Sequence, residues 1–166
     1  FAVLNPGGAW PNKRWPADKF GALAADLGDR LAIASAVVWG PGEEELAQEV
    51  VGASRGAARL APATGIPELV AIVREAAVVV SNDTGPLHLA TAVGTPVVGI
   101  FGPTVPERNG PWSPQDVVVS RSDRCACHHR RRCEAPIWCL ADVTTEEVTD
   151  AVGRRLAVAT AHASHG

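Results

Sequence analysis

Residues 77–101 read AVVVSNDTGPLHLATAVGTPVVGIF. Ala77 to Val80 is a short, wholly apolar run, the pattern of a strand buried on both faces. It ends at the polar turn Ser81-Asn82-Asp83. Thr84 to Val93 then reads as a helix, with Thr84 as its N-cap and Pro86 in its first turn, where a missing N–H has no intrahelical partner to lose. Pro96 to Phe101 is a second buried strand. Strand, helix and strand in so short a span make a parallel βαβ unit.

The same alternation extends in both directions. Upstream, Ala2 to Leu4 is a buried strand that stops at Asn5-Pro6. Trp15-Pro16-Ala17-Asp18 opens a helix to about Leu27, and Ile33 to Trp39 is a Val-rich strand. Gly40-Pro41-Gly42 turns the chain into a helix over Glu43 to Val51, with acidic residues at its positive end. Arg59-Leu60 is a short strand and Pro67 to Ala76 a helix. Downstream come a Gly/Pro-rich loop from Gly102 to Pro114, a strand at Val117 to Val119 and a Cys-rich segment. A last helix begins near Thr144, where Thr144-Thr145-Glu146-Glu147 resembles a capping box; Ala161 to Gly166 are expected to fray. The fold class that follows is α/β, a Rossmann-like doubly wound parallel sheet.

Bulk properties narrow the function classes. The 166 residues are 46% hydrophobic and 20% charged, a globular balance with enough chain for one real core. A formal net charge of −3 disfavours nucleic acid as a partner. No apolar run is long enough to cross a bilayer. No signal peptide opens the chain, since Phe1-Ala2-Val3-Leu4 runs straight into a turn. With no Met, the chain reads as a domain excised from a longer protein.

Three segments lie where an open α/β sheet binds ligands, beyond the carboxyl ends of its strands. In Asn5 to Trp15, Gly7 and Gly8 let the backbone approach a ligand, and Lys13 and Arg14 offer charge to a diphosphate. The alternative is a glycine turn with two solvated cations. In Val80 to Leu89, the helix start offers free N–H groups and a positive dipole end to an anion. Asp83 would repel a phosphate and is better suited to sugar hydroxyls; the alternative is that it merely caps the helix. His88, one turn in, reads first as a structural histidine. In Gly94 to Thr104, a strand ends in Gly-Pro-Thr, which by itself is equally a plain strand-to-loop turn. The four cysteines Cys125, Cys127, Cys133 and Cys139 fall in one segment with His128 and His129. Free thiols, a metal site and one or two disulfides all remain open there. The arginines from Arg121 to Arg132 read as a solvated loop or as a meeting place for an anionic acceptor or a membrane surface.

Together, NPGGAWPNKRWP, SNDTGPLHLATAVGTPVVGIFGPT and the CAC…C…C tail resemble the C-terminal half of glycosyltransferase family 9, the lipopolysaccharide heptosyltransferases. The resemblance covers nearly the whole chain in order. It implies a GT-B enzyme, in which two Rossmann-like domains face each other across a cleft and the C-terminal one holds an ADP-sugar, ADP-heptose in this family. Residues 1–166 would then be a single nucleotide-sugar-binding domain, including the Cys-rich segment 125–139 and a C-terminal helix at about 144–160. The N-terminal acceptor domain would lie outside this chain. No cofactor or metal is needed for transfer in the family.

By this resemblance Gly7, Gly8 and Ala9 offer backbone N–H groups to the diphosphate, and Lys13 pairs with phosphate or a sugar hydroxyl. Asp83 binds sugar hydroxyls, Thr84 and Gly85 contact phosphate, and Glu43 holds the ribose. Arg14, Glu44 and His88 are second candidates. Some family members carry hydroxyl side chains where this chain has Gly8 and Ala9. The general base belongs to the N-terminal domain, so no catalytic residue is expected here and the isolated domain should be inactive. The implied acceptor is a lipopolysaccharide-core-like glycan or glycolipid. The implied location is the cytoplasm, at the inner face of the cell membrane. The rival readings are a GT-B-type sugar epimerase and a non-catalytic nucleotide-sugar-binding domain.

Overall fold

A computed structural model describes residues 1–127 and 130–163, with side chains to residue 159. The histidines of the Cys-rich segment, His128 and His129, lie outside the described residues, as do residues 164–166 of the 161–166 stretch expected to fray; residues 161–163 instead continue the last helix.

Six strands form one parallel sheet: β1 (Ala2–Asn5), β2 (Ser35–Val37), β3 (Ala58–Leu60), β4 (Val78–Asn82), β5 (Val97–Phe101) and β6 (Val117–Ser120). Their order is β3-β2-β1-β4-β5-β6, so the chain winds outward on either side of the β1–β4 pair. That pair is the switch point of a doubly wound sheet. The helices are α1 (Ala17–Leu31), α2 (Glu44–Ala53), α3 (Ile66–Arg74), α4 (Gly85–Ala92), the short α5 (Pro106–Asn109) and α6 (Thr145–Ala163).

Side chains alternate between two cores, as strand periodicity demands. Ala2, Leu4, Val78, Val80, Val98 and Ile100 join Phe20, Leu23, Leu27, Val50, Val148 and Val152 of α1, α2 and α6. Val3, Val79, Val97 and Phe101 join Val73, Leu87 and Ala90 of α3 and α4 on the other face. The sheet is therefore covered on both faces by the chain's own helices, which is why β1, β4 and β5 are apolar and buried almost throughout. A buried ion pair, Arg155 Nε to Asp116 Oδ1 at 2.8 Å, ties α6 to the sheet, and the same oxygen accepts the Val97 N–H at 3.0 Å.

Element boundaries depart from expectation in ways that have physical causes. The first helix runs to Leu31 rather than Leu27, because Ala32 adopts the left-handed conformation (φ 55°) and its N–H returns to the Gly28 carbonyl at 3.2 Å. Glycine is the usual residue there, so an alanine gives no stop signal. The strand expected over Ile33–Trp39 is shorter, Ser35–Val37, because only those three residues pair with its neighbours β1 and β3. Thr84 stands at the N-cap position of α4, but its side chain makes no cap bond. The capping box at α6 is as read: the Glu147 N–H donates to Thr144 Oγ1 at 3.2 Å, and the Thr144 N–H donates to Glu147 Oε2 at 2.8 Å.

Candidate functional site

The carboxyl ends of β1 and β4 open onto a cleft of about 580 Å³, within the usual range for small-molecule sites. Gly7, Gly8, Ala9, Lys13, Glu43, Asp83, Thr84 and Gly85 all line it. Of the second candidates, Arg14 reaches its edge: Nε donates to the Gly8 carbonyl at 2.7 Å, and a guanidinium nitrogen lies 3.8 Å from Glu43 Oε1. Glu44 is not among the lining residues; it starts α2 and accepts from Gln48 Nε2 at 3.2 Å. His88 is not among the lining residues; it is half-exposed, with Nε2 at 3.8 Å from Asp83 Oδ1.

A buried polar network sets the cleft's shape. Asn82 Nδ2 donates to the Pro6 carbonyl at 2.9 Å and the Gly7 carbonyl at 3.3 Å, and its Oδ1 accepts the Trp15 N–H at 3.1 Å. Asn5 Nδ2 donates to Ser81 Oγ at 2.9 Å and Thr84 Oγ1 at 2.7 Å. One amide at the end of each central strand thus pins the loop or helix start that follows the other. This is also why the Thr84 hydroxyl is not free to cap α4.

Asp83 is 6% exposed, and its Oδ2 accepts from Lys13 Nζ and from Thr104 Oγ1, both at 2.6 Å. Among the described residues it takes no bond from the backbone of α4, so the reading of Asp83 as a helix cap fails. Lys13 is no solvated cation either: its side chain is 16% exposed, and Nζ sits 4.7 Å from the Trp10 ring centroid. Its charge lies beside a carboxylate and an aromatic face, at the mouth of a helix whose first turn carries no acidic residue.

Glu43 is held differently. Its Oε1 accepts the Gly8 N–H at 2.8 Å and its Oε2 accepts the Gly40 N–H at 3.1 Å. A Cβ on Gly7 would overlap this carboxylate, so a side chain there would displace Glu43. The Gly8 N–H, one of the donors expected to face a diphosphate, is engaged by Glu43 in this structure.

The sequence profile of glycosyltransferase family 9 (heptosyltransferase) matches residues 1–138. The chain belongs to this family. It is 28% identical over 159 residues to lipooligosaccharide heptosyltransferase 2 of Campylobacter jejuni, covering 90% of this chain and 49% of that protein. A solved glycosyltransferase family 9 structure from Veillonella parvula superposes with a TM-score of 0.79 at 28% identity, over 94% of this chain and 46% of that one. Escherichia coli heptosyltransferase WaaC, solved with ADP-2-deoxy-2-fluoro heptose, superposes with a TM-score of 0.71 at 25% identity, over 92% and 42%. The chain spans about half the length of each of these proteins.

In this family 9 chain, the structure adds residues that the sequence pattern did not single out. Val38, Trp39 and Pro41 after β2, with Thr64, Ile66 and Leu69 at the start of α3, give the cleft an apolar wall. Ile66 is 68% exposed and Trp39 donates its indole N–H to the Ala61 carbonyl at 2.9 Å. In the sequence Thr104 reads only as the end of a Gly-Pro-Thr turn.

The segment from Arg121 to Val143 is a brace for the first loop rather than a separate appendage. Trp15 Nε1 and Lys19 Nζ donate to the Val143 carbonyl at 3.1 and 2.7 Å, Trp138 Nε1 to the Arg14 carbonyl at 3.2 Å, and Asn12 Nδ2 to the Arg130 carbonyl at 2.9 Å. Its four cysteines form no disulfide with one another, and the Cys125 and Cys127 sulfurs lie 3.3 Å apart. Burial pushes the Cys125 and Cys139 thiols up from their ordinary range, which disfavours the reactive thiolate. Among the described residues, no group of three or more His, Cys, Asp or Glu side chains is placed to hold a metal ion.

Proposed function

We propose that this chain is the donor-binding half of a GT-B heptosyltransferase, holding a nucleoside-diphosphate sugar, ADP-heptose by kinship, in the cleft between β1 and β4. The observation that carries the reading is the Lys13–Asp83 pair at the switch point, a cation and an anion side by side above a helix start. In this reading the diphosphate lies over Gly7 to Ala9 and the start of α4 at Thr84 and Gly85, and takes Lys13 as its counter-charge. Asp83 accepts hydroxyls of the sugar, and Glu43, whose oxygens keep spare lone pairs, accepts those of the ribose. The apolar wall from Val38 to Pro41 and Thr64 to Leu69 receives the base. The solved WaaC complex with an ADP-sugar analogue supports this choice of donor.

Transfer requires a base to take the acceptor's proton while the diphosphate leaves. The chain's share is to stabilise charge on that leaving group through Lys13 and the α4 start. The base and most of the acceptor site belong to an N-terminal domain. The exposed Arg130, Arg131 and Arg132 are suited to meet an anionic glycolipid acceptor at the inner membrane face. Among the described residues, no helix is long and apolar enough to cross a membrane.

Calorimetry of the 166-residue chain with ADP, UDP and GDP, each with and without a chelator, tests the reading. The expected result is preference for ADP, unchanged by chelation, and no sugar transfer by the chain alone. Tighter UDP binding would remove ADP-heptose as the donor, and transfer by this chain alone would place the base within it.

A further inference from the structure

Thr104, on the loop after β5, is 3% exposed, and its hydroxyl donates to Asp83 Oδ2 at 2.6 Å. The loop is pressed against the bracing segment: a Cβ on Gly102 would come within 2.8 Å of Leu140 Cγ and 3.0 Å of Cys139 Sγ. Thr104 is therefore carried on backbone that close packing holds in place.

The two oxygens of Asp83 are treated unequally. Oδ2 accepts from both Lys13 and Thr104, while Oδ1 faces the His88 imidazole at 3.8 Å, beyond hydrogen-bond reach. A carboxylate turns readily about its terminal torsion unless something fixes its plane. Lys13 is a poor candidate for that task, because its ammonium rides on a flexible stem and a diphosphate would draw it away. The Thr104 hydroxyl has a short reach and a fixed backbone.

We propose that Thr104 is a positioning residue: by holding Oδ2 of Asp83 it presents Oδ1 to the hydroxyls of the donor sugar. It keeps doing so when Lys13 turns to the diphosphate. This rests on the donor reading above, and it assigns a task to the Gly-Pro-Thr turn.

The test compares Thr104→Val, which keeps the shape and loses the hydroxyl, with Thr104→Ser, which keeps the hydroxyl. Each is titrated with ADP and with ADP-heptose beside Asp83→Ala, and each is melted to check its fold. Thr104→Val should weaken ADP-heptose about tenfold, the loss of one charge-assisted hydrogen bond, and leave ADP within about twofold. Thr104→Ser should restore wild-type affinity. Adding Thr104→Val to Asp83→Ala should cost nothing further, since the two act as a unit. If Thr104→Val does not fold, Thr104→Ala carries the same comparison.

Selective loss in Asp83→Ala with no loss in Thr104→Val would overturn the role of Thr104 and leave the donor reading standing. Equal loss of both ligands in Thr104→Val, or no rescue by serine, would reduce Thr104 to a packing residue. If Asp83→Ala itself does not distinguish the two ligands, the sugar contact is wrong and the role of Thr104 falls with it.

Discussion

Asp83 and Glu43 line the same cleft, yet Asp83 is gripped by side chains and Glu43 by backbone. Lys13 and Thr104 hold the first; the N–H groups of Gly8 and Gly40 hold the second. The lysine can be redirected by a ligand, whereas Thr104 and the backbone donors stay where the fold puts them. Asp83 therefore belongs to a charge pair that a diphosphate sugar can reorganise. Glu43 belongs to the scaffold, bridging the loop after β1 to the turn before α2, and meets a ligand with whatever lone pairs remain.

The largest expected effect is at the pivot of the first arrangement. Lys13→Ala removes the diphosphate's counter-charge and also leaves Asp83 without its cation. Affinity for ADP and for ADP-heptose should fall together, roughly tenfold to a hundredfold for a charge-assisted bond of about 1.5–3 kcal/mol. Calorimetry measures it; unchanged ADP binding would mean that Lys13 serves Asp83 alone.

Asp83→Ala should separate the ligands. ADP-heptose should weaken about tenfold, while ADP holds steady or improves as a negative charge leaves the neighbourhood of phosphate. A parallel thermal melt distinguishes this from a loss of fold, which would lower both affinities alike.

Glu43→Ala should do the opposite on both counts. The ribose is common to the two ligands, so their affinities should fall by the same factor. Two part-buried backbone donors lose their acceptor, so the domain should lose about 1–3 kcal/mol by chemical denaturation. A variant that discriminates ADP-heptose from ADP without losing stability would break the contrast between the two carboxylates.

The legible parts of this molecule are those where one pattern has one physical meaning. Val78 to Val80 and Val97 to Ile100 could only be strands covered on both faces, and the polar turn between β4 and α4 could only stand at the ligand edge of such a sheet. Thr144 and Glu147 announced their helix start by spacing. What the pattern did not carry was long-range partnership. Nothing near residue 104 in the chain indicates that its hydroxyl meets a carboxylate at residue 83. Nor do Trp15 and Lys19 reveal that the carbonyls of residues 141–143 complete them. Thr84 shows the converse failure: a good cap residue locally, it is claimed by Asn5 across the sheet.

Glu147 provides the smallest effect and a reference outside the cleft. Its bond to Arg121, with the Thr144 backbone N–H, holds its carboxyl at about 2, below the usual 4.5. A depressed carboxyl stabilises the fold above pH 4.5, and the contribution is lost as pH falls from there through 2. The side chain is 42% exposed, so solvent screening limits the contribution to at most about 1 kcal/mol. Glu147→Gln should lower stability at pH 7 by that amount, converge with wild type near pH 2, and leave ADP binding untouched. Denaturation at several pH values follows it; a change in ADP affinity would show that the bracing segment reaches the cleft's chemistry.

Amide chemical-shift mapping by NMR, with ADP-heptose added to the 166-residue chain, tests whether the carboxyl edge at β1 and β4 is a nucleotide-sugar site. The predicted result is a cluster of large shifts at Gly7 to Lys13, around Glu43 and at Asp83 to Gly85. Subtraction of the shifts caused by ADP alone should leave residues 83 and 104 as the sugar's footprint. Large shifts confined to other faces of the sheet, with Gly7 to Lys13 and Asp83 to Gly85 unmoved, would contradict it.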